Sequence, residues 1–496
     1  MVVLLLMVLP CHAYGDEGPD ARGTEGGMTS MPRLRPTSRL TFRSGWMRLA
    51  LRIGLGVCGA VSPALAGETL VRPGDDLQAA LSSAAEGDTI SLAPGRYTGP
   101  LVLDRRVTLE GAPGAVVDGQ GRGNTITVNA PGSTVRGLEV IGSGGNLYDL
   151  NSGIFVSQTA TGALVENNVL TGNLFGIYLH GAADSVARGN TVTGKRGVRM
   201  AETGSGVSIW NAPGAKVLDN VIRYGRDGIY TNASKRNVFH GNLMEHVRFA
   251  VHYMYTDDSE VSGNISRDNS VGFALMYTKR LKVLDNLSEG DRDHGLLMNY
   301  TNNSTVSGNR VLGRLLPASR WMDAGVQAAE PGMAAPVDTV ETADPGSDRI
   351  GPEKCVFIYN ANRNRFTDNR FEGCNIGIHF TAGSEGNAMS GNAFIGNRTQ
   401  VKYVGTRDLD WSVDGRGNFW SDNPAFDLDG DGIADSPYRP NDLVDVVLWT
   451  APQAKILVNS PAVQTIRWAQ TQFPALLPGG VVDSHPLMQP PRKERP

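Results

Sequence analysis

The sequence predicts an all-β fold: a right-handed parallel β-helix with coils of about 22 residues, a short helix capping its amino end and a carboxyl-terminal tail containing a helix. Three observations lead there. Asn168, Asn190, Asn220, Asn242, Asn264, Asn286 and Asn309 recur at intervals of 22, 30, 22, 22, 22 and 23 residues. From Asn190 onward each follows Gly or Asp, as in Gly189-Asn190, Asp219-Asn220, Gly241-Asn242, Gly263-Asn264, Asp285-Asn286 and Gly308-Asn309, and the series resumes at Asp368-Asn369 and Gly391-Asn392. Between these turns the apolar runs are too short for helices, as at Leu164-Val165, Val217-Leu218, Val238-Phe239 and Leu281 to Leu284. Leucine-rich repeats have a similar period, but their Leu-x-x-Leu-x-Leu register is missing. In a β-helix each coil pairs with the next at roughly 4.8 Å, so the turn asparagines stack and bond their neighbours above and below. Asn also tolerates the left-handed backbone that such corners need.

The chain divides into an amino-terminal extension and signal peptide (1–66), the β-helix (67–425) and a tail (426–496). Arg33, Arg35, Arg39, Arg43, Arg48 and Arg52 precede or flank the apolar stretch from Leu49 to Ser62, and Ala64-Leu65-Ala66 offers a small-x-small cleavage site. This pattern begins late, so Met28, Met31 or Met47 is the expected start, and a soluble exported protein beginning near Gly67 is the expected product. Asp76 to Ala85 reads as the capping helix, introduced by Pro73-Gly74-Asp75 and stopped at Gly87, with a strand following at Thr89 to Leu92. Two interruptions break the repeat. One is an excess of about eight residues near Met200 to Gly204; the other is a loop from about Leu315 to Pro352, rich in Ala, Pro, Gly and Asp. In the tail, Ser460 is a good N-cap, Pro461 fits the first turn, and Val463, Ile466, Ala469 or Gln470, and Phe473 fall at helical spacing before Pro474. With Leu476, Leu477 and Leu487 nearby, the tail should cap the rod or dock on a partner.

The chain has 496 residues and 61 glycines, which fits a turn-dense solenoid. Loss of residues 1–66 removes seven arginines and four acids, leaving 39 basic and 46 acidic residues, a net charge of −7. That argues against nucleic acid as a partner. Cys355 and Cys374 are the cysteines remaining after cleavage, and they lie about one coil apart. A disulfide and two buried thiols both fit; a metal site fits less well.

Spacing now becomes spatial information. Met254, Met276 and Met298 stand 22 and 22 residues apart, which predicts a column on three successive coils. Tyr255, Tyr277 and Tyr300, and Thr256, Thr278 and Thr301, form parallel series beside it. Strand alternation places His252 and the three methionines on one outer face. Thioether and imidazole donors suit copper(I). Core filling and an adaptable contact surface are the other readings of the same residues. Asp427, Asp429, Asp431 and Asp435, with Gly432, match the first three-quarters of a calcium loop; Tyr438 stands where the bidentate Glu would be. A structural calcium site and a loop of Asx turns both fit. Asp291, Arg292, Asp293 and His294, with Arg226 and Arg248 from preceding coils, form the best cluster for acid–base catalysis, as a carbohydrate-active β-helix would need. Solvated charges at a turn fit that cluster better.

Beyond these patterns, His252-Tyr253-Met254-Tyr255, Ala274-Leu275-Met276-Tyr277, Gly295-Leu296-Leu297-Met298, Gly417-Asn418-Phe419-Trp420-Ser421-Asp422, Asp427 to Gly432 and Pro437-Tyr438-Arg439-Pro440 resemble the NosD family over roughly residues 67–490. The closing Ser460 to Gln464 and Gly480 to Leu487 are similar too. NosD proteins are periplasmic maturation factors of nitrous oxide reductase. The resemblance implies work with an ATP-binding-cassette ATPase and its membrane subunit on the reductase's copper–sulfide centre, and a copper-chaperone lipoprotein as a further partner. It favours a transient copper site at Met254, Met276, Met298 and His252, and no enzymatic activity. The insertion departs from the simplest family pattern. An uronan epimerase or lyase, and an adhesive β-helix, are the competing classes.

Overall fold

The computed structural model describes residues 66–317, 319–320, 348–381, 383–405, 407–457, 459–473 and 479–491. The leader up to Leu65, most of the insertion, Pro474, Leu476 and Leu477 lie outside the described residues.

Three parallel sheets wrap around one core. Two have 13 strands, running from Glu68–Val71 to Ala388–Ser390 and from Gly95–Thr98 to Phe419–Trp420. The third, with 12 strands from Leu101–Leu103 to Thr399–Val404, contains the longest strands, Val271–Lys279 and His294–Asn302. We call it the wide face. Inward side chains of successive coils pack directly on one another: Val251 and Tyr253 on Phe273 and Leu275, these on Leu296 and Met298, and these on Val356 and Ile358.

The asparagine series forms one continuous ladder. The main-chain N–H and side-chain amide of Asn168 both donate to Oδ1 of Asn190 at 3.0 Å, and the pattern repeats through Asn220, Asn242, Asn264, Asn286, Asn309, Asn369, Asn392 and Asn418. These donors and acceptors are buried, so stacking satisfies them where water cannot. One expectation needs correction. The left-handed residue is not the ladder asparagine but the one before it, Gly189, Asp219, Gly241, Gly263, Asp285, Gly308, Asp368 or Gly391. That explains the dipeptide: glycine or a short acid takes the turn, and asparagine bonds along the rod.

Both interruptions leave the ladder intact. The first holds a 3-10 turn, Met200–Glu202. The second leaves through an antiparallel pair, Arg314–Leu316 with Arg349–Gly351. The capping helix is Leu77–Ser83, with Asp76 as N-cap and Leu77 and Leu81 buried. A strand that the sequence reading missed, Glu68–Val71, precedes it and pairs with Thr89–Leu92.

At the other end the tail closes the rod. Trp420 stacks on Phe394 at 4.3 Å, its indole N–H donates to Asp483 at 2.8 Å, and Val481–Val482 pairs with Leu409–Asp410. The helix Pro461–Gln472 has Ser460 as N-cap, as expected. A second helix, Leu443–Thr450, carries a capping box from Asp442 and Asp445 and was not foreseen. Of the face predicted for the helix Pro461–Gln472, Gln470 is buried while Ile466 and Phe473 stay exposed. Among the described residues no helix is long and apolar enough to cross a membrane.

Candidate functional site on the wide face

Along each wide-face strand, side chains alternate between the core and the outer surface. Val251 and Tyr253 point in, so His252 and Met254 point out. Met254 pairs in register with Met276, which places two partly exposed thioethers on adjacent coils. Met298 does not join them. The strand partner of Met276 is Asn299, and Met298 pairs with Leu275. Met298 is 0% exposed, inside the core. The cause is one extra residue: Val271 pairs with His294, 23 positions on, whereas Phe249 pairs with Val271, 22 positions on. A single residue of slip turns a side chain to the opposite face.

The tyrosines keep the true register. Tyr255 and Tyr277 stack at 5.0 Å, and Tyr277 and Tyr300 at 5.0 Å with an interplanar angle of 8°. All three are exposed, and all have φ near +50°. The same corner holds Asn211, Ala233 and Asn360 in neighbouring coils. A bulky aromatic at that φ costs of order 1–2 kcal/mol of backbone energy, so the stack persists against local preference. Thr256, Thr278 and Thr301 are buried beneath this corner.

His252 faces outward yet is only 5% exposed, because Phe249 meets its ring edge-on at 4.8 Å and Tyr230 packs at 5.1 Å. Its Nδ1 lies 3.1 Å from Oδ2 of Asp227. Its Nε2 is buried with no hydrogen-bond partner among the described residues. Burial pushes the Asp227 carboxyl up, but the charge of Arg248 and the hydrogen bond and charge of His252 outweigh that and hold it well below the usual carboxylate range. Asp227 was not singled out from the sequence. Its place could have been read there, since it stands one 22-residue coil before Phe249.

Arg226 and Arg248 therefore turn to Asp227 rather than to the cluster at 291–294. Nor does that cluster form one site. Asp291 is sealed below the turn, accepting hydrogen bonds from Ser266, Ser288 and the N–H of Asn269. Burial, opposed by those bonds, pushes its carboxyl up to about 7. Asp293 is held by Arg292 at 2.7 Å. Burial and the nearby Lys354 charge push the His294 imidazole down to about 4. The description of solvated turn charges fails for Asp291, which is buried, and His294 is half-buried.

In the tail loop, carboxylate oxygens of Asp427, Asp429 and Asp431 come within 4.8 Å of one another. Asp435 does not join them; it accepts the N–H of Leu428 at 2.8 Å. Asp427 accepts the N–H groups of Gly430 and Gly432, so Asx-type turns hold the loop together. The cysteines are joined: Cys355 and Cys374 form a disulfide with their Cα atoms 5.6 Å apart.

The outward-directed donors, the partly exposed Met254 and Met276 thioethers and the buried, unpartnered Nε2 of His252, are soft or borderline, a set that fits copper(I). Met298 does not belong to it, because its side chain turns to the opposite face, into the core.

A family model described as "Periplasmic copper-binding protein (NosD)" matches residues 188–425, the span that holds these donors. A "Probable ABC transporter binding protein NosD" of Stutzerimonas stutzeri is 39% identical over 406 residues, 81% of this chain and 87% of its own length. One with the same description from Pseudomonas aeruginosa (PAO1) is 41% identical over 411 residues, covering 83% and 90%. Among solved structures, a mannuronic acid specific polysaccharide family 6 lyase from human gut microbiota aligns over 68% of this chain and 82% of its own at 11% identity, with a TM-score of 0.46; no chemistry transfers from it. At this identity and coverage of the two relatives, the chain belongs to the NosD family.

Proposed function

We propose that this chain is a periplasmic, non-enzymatic accessory protein for the maturation of nitrous oxide reductase. It assists assembly of the copper–sulfide centre together with an ABC transporter, and copper(I) is its cargo. The observation that carries this reading is family membership through relatives described as ABC transporter binding proteins, with the in-register Met254–Met276 pair lying inside the span that matches a copper-binding family. A copper-chaperone lipoprotein supplies the ion in this scheme, and the apo-reductase receives it.

The tail supplies the transporter contact. Ile456, Leu457, Ile466, Trp468 and Phe473 are each exposed on the tail helices or at their ends. Exposed large apolar side chains supply such contacts when they adjoin one another, and here the partner is the membrane subunit paired with its ATPase.

Deletion of the gene in a nitrous-oxide-respiring host should leave the reductase without its copper–sulfide centre, read by its absorption spectrum, and complementation should restore it. Co-purification of the ATPase and membrane subunit should depend on the tail surface. A fully assembled reductase in the deletion strain would overturn the proposal.

A further inference from the structure

His252 has a buried orienting partner that the copper reading does not itself require. Asp227 is 0% exposed. Its Oδ1 accepts from Nε of Arg248 at 2.9 Å, and its Oδ2 from Nη2 of Arg248 at 2.8 Å. The same Oδ2 lies 3.1 Å from Nδ1 of His252 and 3.6 Å from Nε of Arg226. An ionised carboxylate can only accept, so Nδ1 must be the donor. In the neutral imidazole the lone pair then sits on Nε2, the buried atom that has no hydrogen-bond partner among the described residues. Leaving a buried polar atom unpaired is costly, and a metal ion would satisfy it.

We propose that Asp227 is a positioning residue for copper(I): it locks His252 in the Nδ1–H tautomer, so that Nε2 joins the thioethers of Met254 and Met276 in a neutral one-nitrogen, two-sulfur donor set. This rests on the copper reading above. Carboxylate–histidine pairs of this kind raise ligand basicity and fix ring orientation at metal sites. Arg248 holds the carboxylate in place through both oxygens, Nε on Oδ1 and Nη2 on Oδ2. An alanine at position 227 removes the acceptor, so nothing then fixes the proton on Nδ1 and the lone pair is no longer held on Nε2.

The test uses the exported chain purified from the periplasm, with 15N-labelled histidine. In copper-free wild type, the His252 signals should show a protonated Nδ1 and an unprotonated Nε2. Anaerobic copper(I) should shift Nε2, and X-ray absorption should find one nitrogen beside sulfur. Asp227→Ala should release His252 from the single Nδ1–H tautomer and weaken copper(I) binding about 10–100-fold, and Asp227→Glu should recover part of it. Met254→Ala/Met276→Ala should lose copper with the tautomer unchanged. Should Asp227→Ala fail to fold, the wild-type signals decide alone: a proton on Nε2, or an Nε2 signal unmoved by copper, overturns the proposal. Loss of the Nδ1–H preference with unchanged affinity overturns it too, while leaving the thioether site standing. Equal copper binding by the double methionine variant, or none by wild type, overturns the copper reading and this inference together.

Discussion

The main-chain N–H of Asn418 donates to Oδ2 of Asp483 at 2.7 Å, so a residue 65 positions downstream ends the asparagine ladder. Every rung passes its donors toward the next coil, and the last rung has no next coil. A carboxylate from the tail takes its place, also accepting from the Asn418 amide and the Trp420 indole.

The Asn418 amide keeps the carbonyls of Met389 and Trp411, so Asp483→Ala strands two buried donors, the Asn418 N–H and the Trp420 indole, and should cost about 2–6 kcal/mol, with Asp483→Asn recovering roughly half. Urea denaturation monitored by tryptophan fluorescence checks this, since Trp420 and Trp411 lie beside the break. An alanine variant within 1 kcal/mol of wild type, by that order-of-magnitude estimate, would mean that the closure carries little of the rod's stability.

The methionines should separate cleanly in experiment. Met254→Ala and Met276→Ala should lower copper(I) affinity in a bathocuproine competition with little change in stability. Met298→Ala should leave affinity unchanged and cost about 2–5 kcal/mol by opening a cavity. The reverse pattern would return the copper assignment to the three-residue column.

How far the sequence could be read is visible here. The coil length, the ladder and the capping helix follow from local patterns that repeat, and all stand as expected. The error at Met298 came from counting residues from one methionine to the next. Tyr277 to Tyr300, Thr278 to Thr301 and Asn286 to Asn309 are each 23 apart, and those three series held the correct phase. The role of Asp227 was hidden for another reason: a burial that keeps a carboxylate ionised depends on Arg248 and His252 closing over it, and composition does not report that. The tail helix Leu443–Thr450 has no amphipathic period in LVDVVLWT, so only its cap at Asp442 was legible.

Asp291 predicts a pH dependence. Its folded-state value, about 7, lies above the ordinary 3.8. Between those values the unfolded chain releases the proton while the folded chain keeps it, so this group lowers stability progressively as pH rises from roughly 4 to roughly 7 and adds nothing further above that. Asn269 fills the equivalent place one coil earlier, accepting from the N–H of Val247 as Asp291 accepts from that of Asn269. Asp291→Asn should thus raise Tm at pH 8 more than at pH 4.5. Equal shifts at the two pH values would show that the carboxyl does not titrate in this range.

The disulfide closes a short segment, Cys355 and Cys374 being 19 positions apart. Replacing both cysteines with alanine should lower stability by about 3 kcal/mol on chain-entropy grounds. Dithiothreitol should reproduce the loss in wild type and leave the double variant unaffected.

The insertion after Leu316 bears on how such a protein can change. Asn309 hands its N–H to Asn369 at 2.9 Å, 60 residues away, as neatly as Asn264 does to Asn286 across 22. Rung geometry is thus uncoupled from contour length, provided that the chain leaves and re-enters at a corner. A lineage can lengthen, shorten or replace that excursion, and with it the range of molecules met there, while the scaffold that positions Asp227, His252, Met254 and Met276 stays in step.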